Sequence, residues 1–350
     1  MLRCGCFAWG RARHAVPGLS GGRGKIGGMQ PSIPIQRAPG SPVAGLDYPR
    51  DWDEFLAFFP DEPSCTSYLE QLSWPDGFVC ARCGRGGPPW RGSRRRLGCR
   101  ACGHETTVTA GTLFQGTRTP LRRWFAAAWH VSTADGGVSA RRLQRALQLG
   151  SYETAWTMLH RLRRAMVRSG RPRLEGVAEV GRAFLPAGAD WSLVAIAVED
   201  RGLEAGRVRM QRLASGGDAE LLRFVAWAVE PGTTVVPERL RNPSALAGPG
   251  RRAADGAEVR EGAPLAHLRL VERRLAEWLM RTYQGAASPE LLDWYLDEFT
   301  FRFNRRSARH RGLLFYRLLE EALVTPPQPY GAMVAPSPPR ARGGEGPGRA

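Results

Sequence analysis

Four cysteines carry the clearest chemistry in this chain. They form two pairs, each with two residues between its members, and fifteen residues separate the pairs: Cys80, Cys83, Cys99 and Cys102. Four thiolates at this spacing suit one tetrahedral Zn²⁺ ion with no open coordination position. A glycine follows each pair (Gly84 and Gly103), which lets the backbone turn tightly toward the sulfurs. Buried or disulfide-bonded cysteines are the alternative, but the repeated spacing and glycine favour a structural zinc site.

A run of arginines lies between the two cysteine pairs, at Arg94, Arg95 and Arg96. Guanidinium groups make bidentate contacts to phosphate, so a run of them on a zinc ribbon is a candidate DNA contact. A solvated loop has the same composition. The sequence leaves both interpretations open.

The charge of the whole chain also bears on the question of DNA binding. Its 350 residues carry a formal net charge of +17, and Lys25 is the only lysine, so arginine supplies almost all of the positive charge. Such a basic chain favours a polyanionic partner, most simply nucleic acid. A GC-rich genome, which favours arginine, alanine and glycine codons, is the alternative source of this composition.

Cysteine usage and hydropathy bear on the compartment. The cysteine count is seven, an odd number, and four of the seven have metal-ligand spacing, which favours a reducing intracellular setting. No apolar stretch reaches the roughly 20 residues of a membrane span. The first residues lack the continuous apolar segment of a signal peptide. We therefore expect a cytoplasmic protein without membrane association.

Composition and periodicity divide the chain into five parts. Residues 1–46 and 325–350 are rich in Gly, Pro and Arg and are predicted to be disordered, with Met29 as an alternative start. Residues 47–115 are predicted to form the zinc ribbon with short helices. Residues 116–172 are predicted to be helical, and 173–324 to be a mixed α/β domain with C-terminal helices. The predicted fold class is therefore a multidomain α+β protein.

Residues 139–167 have the pattern of a helix-turn-helix. Ser139 is a predicted cap of a first helix, residues 149–151 form the turn, and Ser151 is a predicted cap of a longer helix. The face of that helix opposite its apolar stripe is predicted to carry Arg161, Arg163, Arg164 and Arg168. These arginines favour DNA binding. An ordinary amphipathic helical hairpin is the alternative.

The following domain begins with strands. Residues 176–185, 191–198 and 208–213 are predicted strands, followed by a helix at 220–229 and a fourth strand at 233–236. Two helices with strong apolar stripes follow. In the second, Glu298, Arg302 and Arg305 are spaced as a solvated ion-pair ladder, and a catalytic carboxylate with a basic partner has the same spacing.

Four segments resemble the bacterial insertion-sequence transposases of the DDE type that carry an N-terminal zinc ribbon: residues 74–80, 107–112, 150–156 and 295–306. The resemblance covers roughly residues 50–325. It implies a ribonuclease H-like transposase domain behind the ribbon. It also implies binding to the terminal inverted repeats of a mobile element, a homo-oligomer on DNA and association with the nucleoid.

The resemblance also implies a mechanism. In this family three acidic side chains hold two Mg²⁺ ions, which activate the attacking hydroxyl and stabilise the leaving oxygen of a DNA phosphodiester. Carboxylates suit this role because Mg²⁺ prefers oxygen ligands near about 2.1 Å.

This sequence departs from the family at the expected acids. Gly181 stands at the first position and Arg182 follows it, Glu238 stands at the second, and Glu298 is the expected third acid with Asn304 as the alternative. Glu179, two residues before Gly181, is displaced by roughly 6–7 Å along the strand. We therefore expect two-metal strand transfer to be lost or severely weakened, with Mg²⁺ poorly bound.

Three alternatives stay open from the sequence. One is an active transposase with a rearranged site of Glu179, Glu238 and Glu298. Another is a non-enzymatic zinc-ribbon DNA-binding regulator derived from a transposase. The weakest is a zinc-ribbon RNA-binding protein.

Overall fold

The computed structural model describes residues 41–134, 136–166, 172–187, 190–238, 252–253, 265–283 and 289–328. Of the segments predicted to be disordered, 1–46 and 325–350, only 41–46 and 325–328 lie within these ranges, and Met29 lies outside them. No helix in the described ranges combines the length and the apolar character needed to cross a bilayer.

Two short helices precede the ribbon, α1 at Trp52–Phe58 and α2 at Glu62–Ser73. The Asp51 side chain caps α1. The carboxylate of Asp61 caps α2 by accepting the N–H of Ser64, so the helix begins at Glu62.

The ribbon itself is a small antiparallel sheet. Its strands are β1 at Trp90–Arg91, β2 at Leu97–Gly98 and β3 at Glu105–Thr106, with β2 in the centre. A short 3-10 helix at Ser93–Arg95 joins β1 to β2. The two cysteine pairs flank this sheet, and Cys80, Leu97 and Cys99 pack with Phe78 in a small core of their own.

Helices form the next layer: α3 at Leu121–Thr133, α4 at Ala140–Ala146 and α5 at Tyr152–Ala165. Ser139 caps α4 and Ser151 caps α5, which confirms both predicted caps. These helices share one apolar core with α1, α2 and the last helix, α9 at Gly312–Val324. The helical part therefore combines residues from both ends of the described chain.

A five-stranded sheet forms the second half of the fold. Its strands are β4 at Val177–Ala187, β5 at Asp190–Arg201, β6 at Glu204–Arg212, β7 at Thr234–Pro237 and β8 at Arg252–Ala253, in the order β6-β5-β4-β7-β8. The first three strands pair antiparallel, whereas β7 pairs parallel with both β4 and β8. The four predicted strands are confirmed, although β6 begins four residues earlier than predicted.

Three helices cover the two faces of this sheet: α6 at Asp218–Ala228, α7 at Ala266–Tyr283 and α8 at Leu292–Phe303. Helix α6 packs on the face that carries Val180 and Ala197. Helices α7 and α8 pack on the opposite face, which carries Ile196 and Val198. Since side chains alternate along a strand, Gly181 lies on the face covered by α7.

Candidate functional site

The four cysteines meet at one point, as their spacing predicts. Their sulfur atoms all lie within 4.8 Å of one another, and the Cys80–Cys102 and Cys83–Cys99 sulfur separations are both 3.7 Å. A tetrahedron with Zn–S bonds of about 2.3 Å has sulfur–sulfur edges of about 3.8 Å. The arrangement therefore fits a single zinc ion bound by four sulfurs.

The two halves of this site share one backbone geometry. Gly84 and Gly103 have φ angles of 69° and 70°, in the left-handed region that favours glycine. Their N–H groups donate to the carbonyls of Cys80 and Cys99, both at 2.9 Å. The N–H groups of Ala101 and Cys102 lower the pKa of the Cys99 thiol to about 7, and a lowered pKa favours the thiolate that a metal binds.

A second site lies where β4, β7 and α7 meet. The N–H of Glu238, just after β7, donates to the carbonyl of Val180 at 2.7 Å. A Cβ atom on Gly181 would lie 2.8 Å from Oε2 of Glu238 and 2.6 Å from Cδ2 of Leu268. The structure therefore brings Gly181 and Glu238, the two positions expected from the resemblance, side by side, and a leucine from α7 fills the space over Gly181.

An arginine of α7 occupies the place opposite Glu238. Nη2 of Arg269 lies 2.6 Å from Oε1 of Glu238, and Nη1 lies 2.9 Å from Oε2 of Glu272. The hydrogen bond to Glu272, followed by the one to Glu238, raises the pKa of Arg269 above its usual value. One guanidinium thus joins two carboxylates beside Gly181. The sequence reasoning missed Arg269 and Glu272, because their helix was recognised only by its apolar stripe.

Arg182 contributes to this site through its backbone. Its N–H donates to Oε2 of Glu238 at 3.1 Å. Its side chain instead contacts the carbonyl of Gly216 and, at 3.3 Å, the carboxylate of Asp218. The positive charge beside Gly181 and Glu238 is therefore that of Arg269, whose side chain projects from a different element.

Glu298, the expected third acid, lies in the interior between helices. It is fully buried, and it forms ion pairs with Arg163 at 2.8 Å and Arg302 at 3.1 Å. Tyr283 Oη donates to it at 3.4 Å. Asn304, the alternative, accepts the N–H of Val208 at 2.7 Å and donates to its carbonyl at 3.1 Å. Among the described residues, neither side chain shares a polar contact with Glu238.

Glu179 also has an interior position. Its Oε2 accepts the N–H of Leu268 at 2.6 Å at the beginning of α7, and burial raises its pKa. Its carboxylate lies within 4.8 Å of ligand atoms of Asp200 and His267. His267 Nε2 donates to the carbonyl of Gly202 at 3.0 Å. These contacts tie the start of α7 to β4 and β5.

The arginines expected to face DNA have different surroundings. Arg95 and Arg96 are half exposed and form ion pairs with Glu62 and Glu105. The side chain of Arg94 and all of Arg168 lie outside the described residues. Arg95 and Arg96 therefore both lie at the surface.

On α5, Arg161 and Arg164 hydrogen-bond Gln328, at 3.2 Å to its carbonyl and 2.8 Å to its side chain. The prediction that Arg163 belongs to an outward arginine face is wrong. Its side chain is 1% exposed, because α8 covers it and Glu298 binds it. A DNA phosphate does not reach a guanidinium in this position.

Comparison with known proteins agrees with this architecture. Residues 60–105 match a family described as a transposase zinc-ribbon domain, and residues 174–304 match the ISXO2-like transposase domain. The chain therefore carries the zinc-ribbon domain and the transposase domain of the IS1595 and ISXO2-like insertion-sequence transposases.

One curated relative supports this assignment. The chain is 29% identical over 133 residues to an uncharacterized protein in transposable element ISH50 of Halobacterium salinarum. That match covers 37% of this chain and 44% of the relative, so it spans less than half of either protein. No solved structure matches the chain.

Proposed function

We propose that this protein is an insertion-sequence transposase that still binds DNA but has lost its two-metal active site. The single observation behind this proposal is the ion pair between Arg269 and Glu238 beside Gly181. A two-metal site needs several carboxylate oxygens around each cation. Here Gly181 offers no ligand atom, and the guanidinium of Arg269 already neutralises the carboxylate of Glu238.

The sheet supports a ribonuclease H-like domain as the ancestor of this site. Three antiparallel strands are followed by α6 and then by two parallel strands, in the order β6-β5-β4-β7-β8. We infer that Gly181 on the central strand, Glu238 after the neighbouring parallel strand and Arg269 on the helix that packs over both stand at the three acid positions of such a domain.

We infer that the third position lies on α7 and that Glu298 has a structural role. Leu268 of α7 contacts Gly181, and Arg269 follows it directly. Glu298 instead balances the charges of two buried arginines. The rearranged active site of Glu179, Glu238 and Glu298 is disfavoured. Glu179 and Glu238 both make contacts at the start of α7, whereas Glu298 is buried between helices and paired with Arg163 and Arg302.

DNA is the proposed partner. The charge of +17 and the half-exposed arginines Arg95 and Arg96 on the ribbon favour phosphate contacts. By the family resemblance, the DNA would be the terminal inverted repeats, bound by a homo-oligomer in the bacterial cytoplasm at the nucleoid. A non-enzymatic regulator is the second candidate, favoured by the same loss of acids.

A nicking assay with purified, zinc-loaded protein tests this function. We expect salt-dependent binding to a duplex that carries the element's ends, and no strand nicking with Mg²⁺ or Mn²⁺. Nicking that disappears in Glu238→Ala would show an active site and contradict the loss. Absence of any DNA binding in a salt titration would refute both the transposase and the regulator. Inverted repeats and target duplications flanking the gene would favour the transposase over the regulator.

Restoring the first acid alone should fail. We expect Gly181→Asp to remain inactive and to lose about 1–3 kcal/mol of stability, since its Cβ overlaps Leu268 and its carboxylate meets that of Glu238. Urea unfolding and the nicking assay measure the two effects. Gly150→Asp is the control, because a Cβ there meets nothing within 4 Å, and we expect a change within about 0.5 kcal/mol. Nicking by Gly181→Asp would show that the metal site is otherwise intact.

A further inference from the structure

A pocket of about 430 Å³ lies between α4, α5, the end of α7 and the start of α8, away from the zinc and Glu238 sites. Aromatic side chains and two exposed arginines are among its lining residues, which include Arg141, Arg145, Tyr152, Trp156, His160 and Tyr295. Its volume falls in the roughly 300–1,000 Å³ range of ligand pockets, so it accommodates one nucleotide and not a duplex.

The aromatic lining offers flat surfaces. The ring of Trp156 lies 4.0 Å from that of His160, at an interplanar angle of 31°. Tyr295 also lies near His160, with 6.5 Å between the ring centroids. Tyr152, at the first position of α5, is 49% exposed. Base–aromatic stacking uses surfaces of this kind.

His160 adds a buried ring, one nitrogen of which has no partner within the described residues. It is 3% exposed, and burial followed by the charge of Arg163 lowers its pKa to about 2, so its ring is neutral. Arg163 Nη1 lies 3.4 Å from Nε2 of His160. A guanidinium only donates, so Nε2 accepts and Nδ1 carries the proton. Within the described residues Nδ1 has no hydrogen-bond partner, which leaves a buried donor in need of an acceptor.

The two rim arginines supply positive charge. Arg141 and Arg145 are four residues apart on α4, both exposed, and neither pairs with an acid within the described ranges. Two like charges at this spacing repel each other slightly, and a bound anion reduces that repulsion. Phosphate is the anion that arginine binds best in a bidentate manner.

We infer that this pocket binds a single unpaired nucleotide of DNA, with the base against the aromatic walls and its phosphates on Arg141 and Arg145. This inference rests on the proposed DNA-binding function and adds a specific place and a preference for an unstacked base. A base that is already unpaired avoids the cost of unstacking.

The test compares two 30-mer duplexes, one fully paired and one with a single bulged 2-aminopurine, on the full zinc-loaded chain. We expect the bulged duplex to bind roughly five- to 150-fold more tightly, with its fluorescence quenched by stacking. Tyr152→Ala should reduce the preference and the quenching, whereas Leu203→Ala should not. Leu203 is fully exposed, and Tyr152 is half exposed, so both variants keep the fold.

The arginines require a separate measurement. The double variant Arg141→Gln, Arg145→Gln should weaken binding of both duplexes and reduce the salt slope by roughly two, with the bulge preference retained. Arg223→Gln, an exposed arginine of α6, is the charge control. Paired-duplex binding without a bulge preference would overturn only the pocket assignment. A stronger preference for a bulged RNA duplex would overturn the choice of DNA.

Discussion

Cys99→Ser should release the zinc ion and unfold the ribbon. The four sulfurs already stand at the separations of a zinc tetrahedron, and the only apolar core of the ribbon among the described residues is a small cluster around Phe78 and Leu97. Such a core does not hold without its metal, because binding of a structural zinc ion supplies about 10–16 kcal/mol. We expect one zinc per chain in the wild type and none in the variant.

Metal analysis, together with limited proteolysis of the ribbon, measures this effect. Cys65→Ser is the matched control, because Cys65 is a buried cysteine of α2 whose pKa is raised by burial to about 12 and which takes no part in the cluster. The control should keep its zinc and its protease resistance. Full zinc occupancy in Cys99→Ser would mean that the four cysteines do not form the metal site.

Loss of the ribbon should also weaken DNA binding without affecting the sheet. The apolar core of the ribbon is separate from the cores that pack α6, α7 and α8 onto the strands. A chain stripped of zinc with a chelator should therefore retain most of its far-UV circular dichroism. Its affinity for the duplex should fall, because Arg95 and Arg96 lose their fixed positions. Unchanged affinity would place the DNA contact elsewhere.

The sequence predicted these local features because each depends on neighbours in the chain. The cysteine pairs and the caps at Ser139 and Ser151 are set by residues a few positions apart, and the structure confirms them. Strand alternation likewise predicted the position of Gly181 in a strand. These features need no knowledge of how distant elements pack.

The contacts that decide the chemistry are not local. Arg269 and Glu238 are 31 positions apart, and their ion pair follows from how α7 crosses the ends of β4 and β7. Arg163 and Glu298 are 135 positions apart. Helical periodicity places Arg163 opposite the apolar stripe of α5, but a helix from the far end of the chain covers that face. The predicted ion pair between Glu298 and Arg302 is present. It is buried, whereas the sequence predicted a solvated pair.

Glu298→Ala should cost about 3–5 kcal/mol of stability or more, because it leaves Arg163 and Arg302 buried without their carboxylate. Arg163 is 1% exposed, and burial alone would lower its pKa, but Tyr283 and Glu298 hold the pKa above its ordinary value. Arg302 also donates to the carbonyl of Ala134 at 2.7 Å, so the same charge links α8 to the end of α3. Urea unfolding of the purified chain measures the loss.

Two further variants separate a structural role of Glu298 from a catalytic one. Glu105→Ala breaks the half-exposed pair with Arg96, and we expect a loss of at most about 1 kcal/mol. Arg163→Met combined with Glu298→Gln should recover part of the stability lost in Glu298→Ala, since one buried charge is gone and Arg302 keeps an acceptor. A catalytic acid would give the opposite pattern: Glu298→Ala would leave stability nearly unchanged and abolish metal-dependent nicking.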